Sequence, residues 1–129
     1  MKKRKKLTDR KRLERDLEKL ITEKLRAKFG NVCQITGKPD KQCGQFHILP
    51  KGAYPNLKYR PENILWAGWF SSHYAFHHDY YKARDEIVPR IKALLGDDYE
   101  ERLKAFSATL PKTNMTVLEE LHKWWSEYE

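Results

Sequence analysis

A change of hydrophobic period constrains this chain most. Between Thr8 and Gly30, the residues Leu13, Leu17, Leu20, Ile21 and Leu25 recur at helical spacing, with Lys, Arg and Glu filling the other face. The spacing predicts a helix capped by Thr8, running to about Phe29 and ended by Gly30. The period then shortens. NVCQIT (31–36) and QCGQFHI (42–48) read as short strands with GKPD as a turn between them. LPKGAYPNLKYRPE (49–62) holds three prolines and one glycine and reads as a loop, after which NILW (63–66) returns to a brief strand. Helical signals resume from about Trp69 to Arg84. They continue over Asp85 to Leu95 with a bend near Pro89 and a stop at Gly96. A further amphipathic helix is expected over Asp97 to Leu110, and a Thr116/Glu119 capping box opens a last helix through Tyr128. The order predicts an α+β fold with a long N-terminal helix and C-terminal helices. Residues 1–29 form a basic arm and helix, and residues 30–129 form the body of a single domain. A 14-residue loop in so small a domain calls for a function.

The charge is as unevenly placed as the period. The net charge is +8 over 129 residues. Residues 1–28 hold 13 Lys/Arg against 5 Asp/Glu, whereas residues 29–129 hold 13 of each. All the excess sits at the N-terminal end, including Lys3, Arg4, Lys5, Lys6 and Arg10. A positive arm on a neutral body suits a polyanion, because neutralised phosphates release counterions. The competing explanation is a solubilising tail. No apolar run approaches the roughly 18 residues of a membrane span, and no signal-peptide core follows the basic start. A cytoplasmic protein is expected, with no membrane partner. Two cysteines, Cys33 and Cys43, do not make a disulfide framework, and their spacing to His47 is not a standard zinc pattern. Ordinary buried thiols are expected.

The middle third carries the chemistry-bearing residues. His47 ends the second strand, Asn63 follows the loop, and SSHYAFHHD (71–79) supplies His73 and His77. On a helix, i and i+4 share a face, so His73 and His77 can grip one ion, while His78 points about 100° away. A histidine at a strand end can act as general base on a water. A divalent ion on two imidazoles can polarise a phosphate oxygen. Asn63 can brace the loop or orient the base. The alternative for SSHYAFHHD is a helix whose buried face happens to include histidines. For Asn63 it is a turn residue after Pro61. The four tryptophans and seven tyrosines are expected mainly in the core, apart from Tyr54 and Tyr59. These two, with Lys58, are placed beside the site to meet a nucleic-acid strand.

The arrangement H47…N63…H73-x3-H77 resembles the ββα-metal (His-Me finger) core of the His-Asn-His, or HNH, endonucleases. KQCGQFHILPKGAYPNLKYRPENILWAGW and YYKARDEIVPRIKALLGDDYEERLKAF look like the corresponding segments of phage recombination nucleases of the NinG type. The similarity covers roughly residues 31–108. It implies a metal-dependent enzyme that hydrolyses DNA in phage recombination or DNA processing, in a bacterial or phage-infected cell. His47 would be the general base and Asn63 the HNH asparagine. His73 and His77 would hold Mg²⁺ or Mn²⁺, with Zn²⁺ also compatible with two imidazoles. Lys58, Arg60 and the N-terminal arm would bind flanking phosphates.

The sequence departs from that pattern in three places. Gln45 and Phe46 stand where many relatives place an acidic or second histidine ligand, which leaves Asp79 as a substitute. Thr36 and the run GWFS (68–71) replace cysteines of the relatives' zinc site, so packing by Trp66, Trp69 and Phe70 is expected in its stead. CGQF stands where relatives read CGHF, which puts Gln45 in the base position and His47 two residues later on the same strand face. A non-catalytic nucleic-acid- or protein-binding module on a decayed HNH scaffold is therefore the alternative. An adaptor that uses Trp124 and Trp125 as exposed anchors is a third class.

Overall fold

A computed structural model describes residues 8–129, Phe70 by its backbone alone. Helix α1 (Asp9–Phe29) begins where the Thr8 hydroxyl accepts from the Lys11 N–H at 3.2 Å, and ends at Gly30 with φ 61°. That positive φ favours glycine. Leu17, Ile21 and Leu25 are buried, with Leu13 and Leu20 partly buried beside them. The stripe read from the sequence is thus the face that docks.

Strands β1 (Cys43–His47) and β2 (Ile64–Gly68) pair antiparallel, with His47 opposite Ile64 and Cys43 opposite Gly68. Strand alternation divides the core in two. Cys43, Ile64 and Trp66 join Leu17, Ile21 and Leu25 of α1 and the last helix. Phe46, Leu65 and Ala67 face the opposite way, against the helices after β2. The same register puts Gln45 and His47 on the α1 side of β1.

β2 runs directly into a wide helical turn, Trp69–His73, in which the Tyr74 N–H donates to the Trp69 carbonyl five residues back. Helix α2 (Tyr74–His78) follows. The uninterrupted helix expected from Trp69 to Arg84 is broken at Asp79, whose backbone is extended (φ −126°, ψ 94°). Its carboxylate accepts from the Lys82 N–H at 3.1 Å and so starts α3 (Tyr80–Lys82). A second wide turn, Ala83–Ile87, leads into α4 (Val88–Leu95). Pro89 follows the wide turn within one continuous helical run, in which Ile87 and Val88 are both right-handed helical; the widening at Ala83–Ile87 is the local distortion expected near a residue that cannot donate to the preceding turn. Gly96 ends α4 with φ 100°.

Helix α5 covers Tyr99–Thr109 and α6 covers Met115–Ser126. Asn114, not Thr116, caps α6: its side-chain oxygen accepts from the Val117 N–H at 2.9 Å. Val117, Leu118, Leu121 and Trp125 of α6 complete the layer on α1. Trp125 and Trp66 are buried, and each indole N–H donates to a backbone carbonyl, of Tyr59 at 2.9 Å and of Gly30 at 2.8 Å. The expectation that tryptophans and tyrosines fill the core fails for Trp69, Tyr74, Tyr80, Tyr81 and Trp124, which are exposed.

Residues 31–36 form no strand. They make a tight turn around Gly37 (φ 70°), closed by the Gly37 N–H on the Cys33 carbonyl and by an isolated Val32–Pro39 bridge. Gln34 pairs with Trp66 in both directions: its side-chain oxygen accepts from the Trp66 N–H, and its own N–H donates to the Trp66 carbonyl, each at 2.7 Å. The β-like composition of NVCQIT therefore reports an edge that follows β2 at one residue. Among the described residues, no helix is long and apolar enough to cross a membrane.

Candidate functional site

An open cleft of about 410 Å³ lies where α1, β1 and the Trp69–His78 helix converge. Gln45, His47, His73 and His77 line it, with Glu18 of α1 and Lys51 of the loop. Three of the four residues expected at a catalytic or metal position thus share one cavity. The fourth, Asn63, does not reach it.

Asn63 is wholly buried and positions its neighbours instead. Its Oδ1 accepts from the Leu49 N–H at 2.8 Å, and its Nδ2 donates to the Leu49 carbonyl at 3.1 Å. The Asn63 carbonyl accepts from the Ile48 N–H at 2.9 Å. The chain leaving His47 is therefore clamped at its next two residues, and the long loop starts from a fixed point. Of the two roles open to Asn63, bracing the loop is the one the geometry supports, and its assignment as a catalytic residue becomes that of a positioning residue.

The loop returns to grip His47. The His47 Nε2 lies 2.8 Å from the Lys58 carbonyl oxygen. A carbonyl only accepts, so Nε2 carries a proton and Nδ1 of the neutral ring is left with a lone pair. Burial lowers the pKa of His47 below its ordinary 6.5. The Lys58 carbonyl opposes that shift, while the charges of Lys51 and Lys58 add to it. The ring is therefore neutral near pH 7, with one nitrogen able to take a proton.

His73 and His77 lie one turn apart with ring centroids 5.2 Å apart. His73 is held edge-on by Phe46 at 5.6 Å and flanked by Trp69 at 4.8 Å. Burial lowers its pKa, with further contributions from His77, His47 and Lys51. A neutral imidazole is the form that binds a metal. Among the described residues, no set of three His, Cys, Asp or Glu side chains converges in ligand geometry. Two imidazoles form a partial shell whose donors suit Zn²⁺ better than Mg²⁺ or Mn²⁺, which favour oxygen ligands, so either of the latter ions would draw the rest of its shell from waters and phosphate oxygens. Asp79 is not among the residues that line the cleft and forms no three-ligand group with His73 and His77; its Oδ1 caps α3.

Gln45 reaches away from β1 to α1. Its Nε2 donates to the Thr22 hydroxyl at 2.8 Å and to the Glu18 carbonyl at 3.0 Å. It pins helix to strand across the back of the cleft. Glu18 and Lys51 were not singled out from the sequence. A signal existed for Glu18: Glu14, Glu18 and Thr22 follow one another at four-residue spacing along a helix otherwise crowded with Lys and Arg.

The residues expected to bind nucleic acid separate into three groups. Lys3, Arg4, Lys5 and Lys6 lie outside the described residues. Arg10 and Lys58 line a second depression beside the cleft. Arg60 lines neither cavity, and its Nε is buried without a hydrogen-bond partner among the described residues. Tyr59 is buried and offers no stacking face, and Tyr54 is half-buried against the core.

Both cysteines are buried free thiols. Cys33 lies 3.4 Å from the Ser72 hydroxyl. Burial acts to raise its pKa, but hydrogen bonds from Ser72 and from the Gly68 and Thr36 backbone outweigh burial and lower it. Trp69 is exposed, so the expected aromatic substitute for a zinc site does not form as such. A hydrogen-bonded cluster of Cys33, Thr36 and Ser72 joins the turn to the helix instead. No family model, curated protein or solved structure matches this chain.

Proposed function

We propose that the cleft hydrolyses phosphodiester bonds in DNA, and that β1, β2 and the Trp69–His78 helix act as the ββα-metal core of an HNH-type endonuclease. The observation that carries this proposal is the convergence of His47, His73 and His77 on one cavity, with the His47 ring tethered through Nε2. His47 Nδ1 takes a proton from the attacking water. The water oxygen bonds to phosphorus as the bond to the 3′ oxygen breaks, and that oxygen takes a proton from solvent water, leaving a 5′-phosphate and a 3′-hydroxyl. Lys51 at the cleft rim attracts the phosphate. Asn63 and the Lys58 carbonyl hold the base in place and spare it the entropy of searching for its orientation. Mg²⁺ or Mn²⁺ held by His73 and His77, with Zn²⁺ compatible, would supply positive charge for the phosphate and the departing oxygen. A place in phage recombination or DNA processing, in the cytoplasm of a bacterial or phage-infected cell, follows from the resemblance alone.

A second function is binding without hydrolysis. It is favoured by the commitment of Gln45 to α1 and by the limit of two histidines at the metal position. Incubating wild type and His73→Ala with supercoiled plasmid in Mg²⁺, in Mn²⁺ and in EDTA separates the two. Hydrolysis predicts nicking by wild type that EDTA stops and His73→Ala loses. A scaffold without chemistry predicts DNA binding with no nicking in any arm. The adaptor proposal loses one of its anchors, because Trp125 is buried while Trp124 is 46% exposed.

A further inference from the structure

Beside the histidine cleft lies a larger groove of about 940 Å³, and the two share Lys51 and Gly52 as a common wall. Three separate parts of the chain build it: Arg10 and Glu14 on α1, the loop from Lys51 to Tyr59, and the connector between α5 and α6 at Lys112 to Asn114. Arg10, Lys51, Lys58 and Lys112 line it against a single carboxylate, Glu14. Arg10 ties two of the walls together, donating to the Thr113 carbonyl at 2.6 Å. Lys51 and Lys112 are exposed and form no ion pair among the described residues. Arg10 pairs with Glu14 at 3.7 Å, which leaves Lys51, Lys58 and Lys112 without a carboxylate along the groove, a concentration of charge that an anion would complete.

We propose that this groove is a track for a phosphodiester backbone and carries the DNA strand that runs out of the histidine cleft. The direction of the track rests on the nuclease proposal above, whereas its ligand chemistry does not. Two features favour a polymer over a small anion. The groove and the histidine cleft lie on either side of Lys51 and Gly52, so one strand crossing these two residues can occupy both. The basic run of residues 2–6 precedes α1 directly in the chain, so the wall bearing Arg10 is preceded by five further cations.

The test is anisotropy of fluorescein-labelled single-stranded and duplex DNA in EDTA, across a salt series. Wild type is compared with Lys112→Ala, the double variant Lys58→Ala/Lys112→Ala, and Lys92→Ala on the exposed surface of α4 as control. Each phosphate contact removed is expected to reduce the slope of log affinity against log salt by about 0.7 for a single strand or about 0.9 for a duplex, which is about four- to fivefold in Kd at roughly 0.15 M salt. The double variant should lose about twice the slope, and Lys92→Ala none. Wild-type slopes in Lys112→Ala and in the double variant, each with a wild-type circular dichroism spectrum, would overturn the track. Plasmid cleavage in Mg²⁺ by the same preparations separates the two proposals. Cleavage with normal binding by the groove variants rejects the track and keeps the nuclease. Loss of binding in those variants, with no cleavage by wild type, keeps the track and rejects the nuclease. A wild type that binds neither DNA rejects both.

Discussion

Asn63 grips Leu49 with both ends of its carboxamide, 14 residues back along the chain, and so fixes the strand end that carries His47. Replacing it with Ala would leave a buried N–H and a buried carbonyl unpaired. A loss on the order of 2–5 kcal/mol is expected from urea unfolding. Asn63→Asp keeps the acceptor for the Leu49 N–H but opposes a carboxylate oxygen to the Leu49 carbonyl. Its defect should shrink on acidification, because a protonated carboxyl can donate. A neutral effect of Asn63→Ala would remove Asn63 from the positioning of the site.

His47 and His73 both titrate below the ordinary 6.5 of an exposed histidine, chiefly through burial. Between the folded values and about 6.5, the unfolded chain binds more protons than the folded one. Stability should therefore be complete above about pH 6.5 and fall as pH drops through the folded values. Unfolding free energy measured from pH 7.5 to 5 should show this decline, and His47→Ala/His73→Ala should flatten it. An unchanged pH profile in the double variant would place the titrating groups elsewhere.

Gly68 closes β2 where the Asp40 carboxylate and the Ser71 hydroxyl crowd its Cα, and a Cβ there would collide with both. Its φ of −66° is open to any residue, so the constraint is space. Gly68→Ala should cost about 1–3 kcal/mol in denaturant unfolding. Adding Asp40→Ala should recover part of that cost, giving a non-additive cycle. Full additivity would show that Asp40 is not the obstacle.

Capping of α6 distinguishes two residues two positions apart. Asn114→Ala should lower stability by about 1 kcal/mol, whereas Thr116→Ala should stay within about 0.5 kcal/mol, read as Tm shifts. The reverse order would restore the capping box expected from the sequence.

What the sequence made legible follows physical range. The α1 stripe, its caps, and the 43–47 and 64–68 strands depend on local period and turn chemistry, and they stand near where the pattern put them. NVCQIT misled because β-branched and apolar residues suit a packed turn as well as a strand, and Gln34 pairs with β2 through its side chain. Asp79 looked helical in composition, yet its side chain competes for the Lys82 N–H and breaks the helix. At the site, the i,i+4 spacing of His73 and His77 was readable. The Lys58 carbonyl on His47 was not, because a loop's backbone acceptors leave no mark in residue types. Glu18 and Lys51 enter only through the docking of α1 and the loop on β1.

The proposed mechanism stands or falls on His47 as the base of a metal-dependent DNA hydrolase. Its most direct test is plasmid cleavage in Mg²⁺ by wild type and His47→Ala, with both variants shown to be folded and to bind DNA alike. Cleavage by wild type is expected, with a loss of about 10²–10⁴-fold in rate for His47→Ala. Equal rates for the two proteins would contradict it.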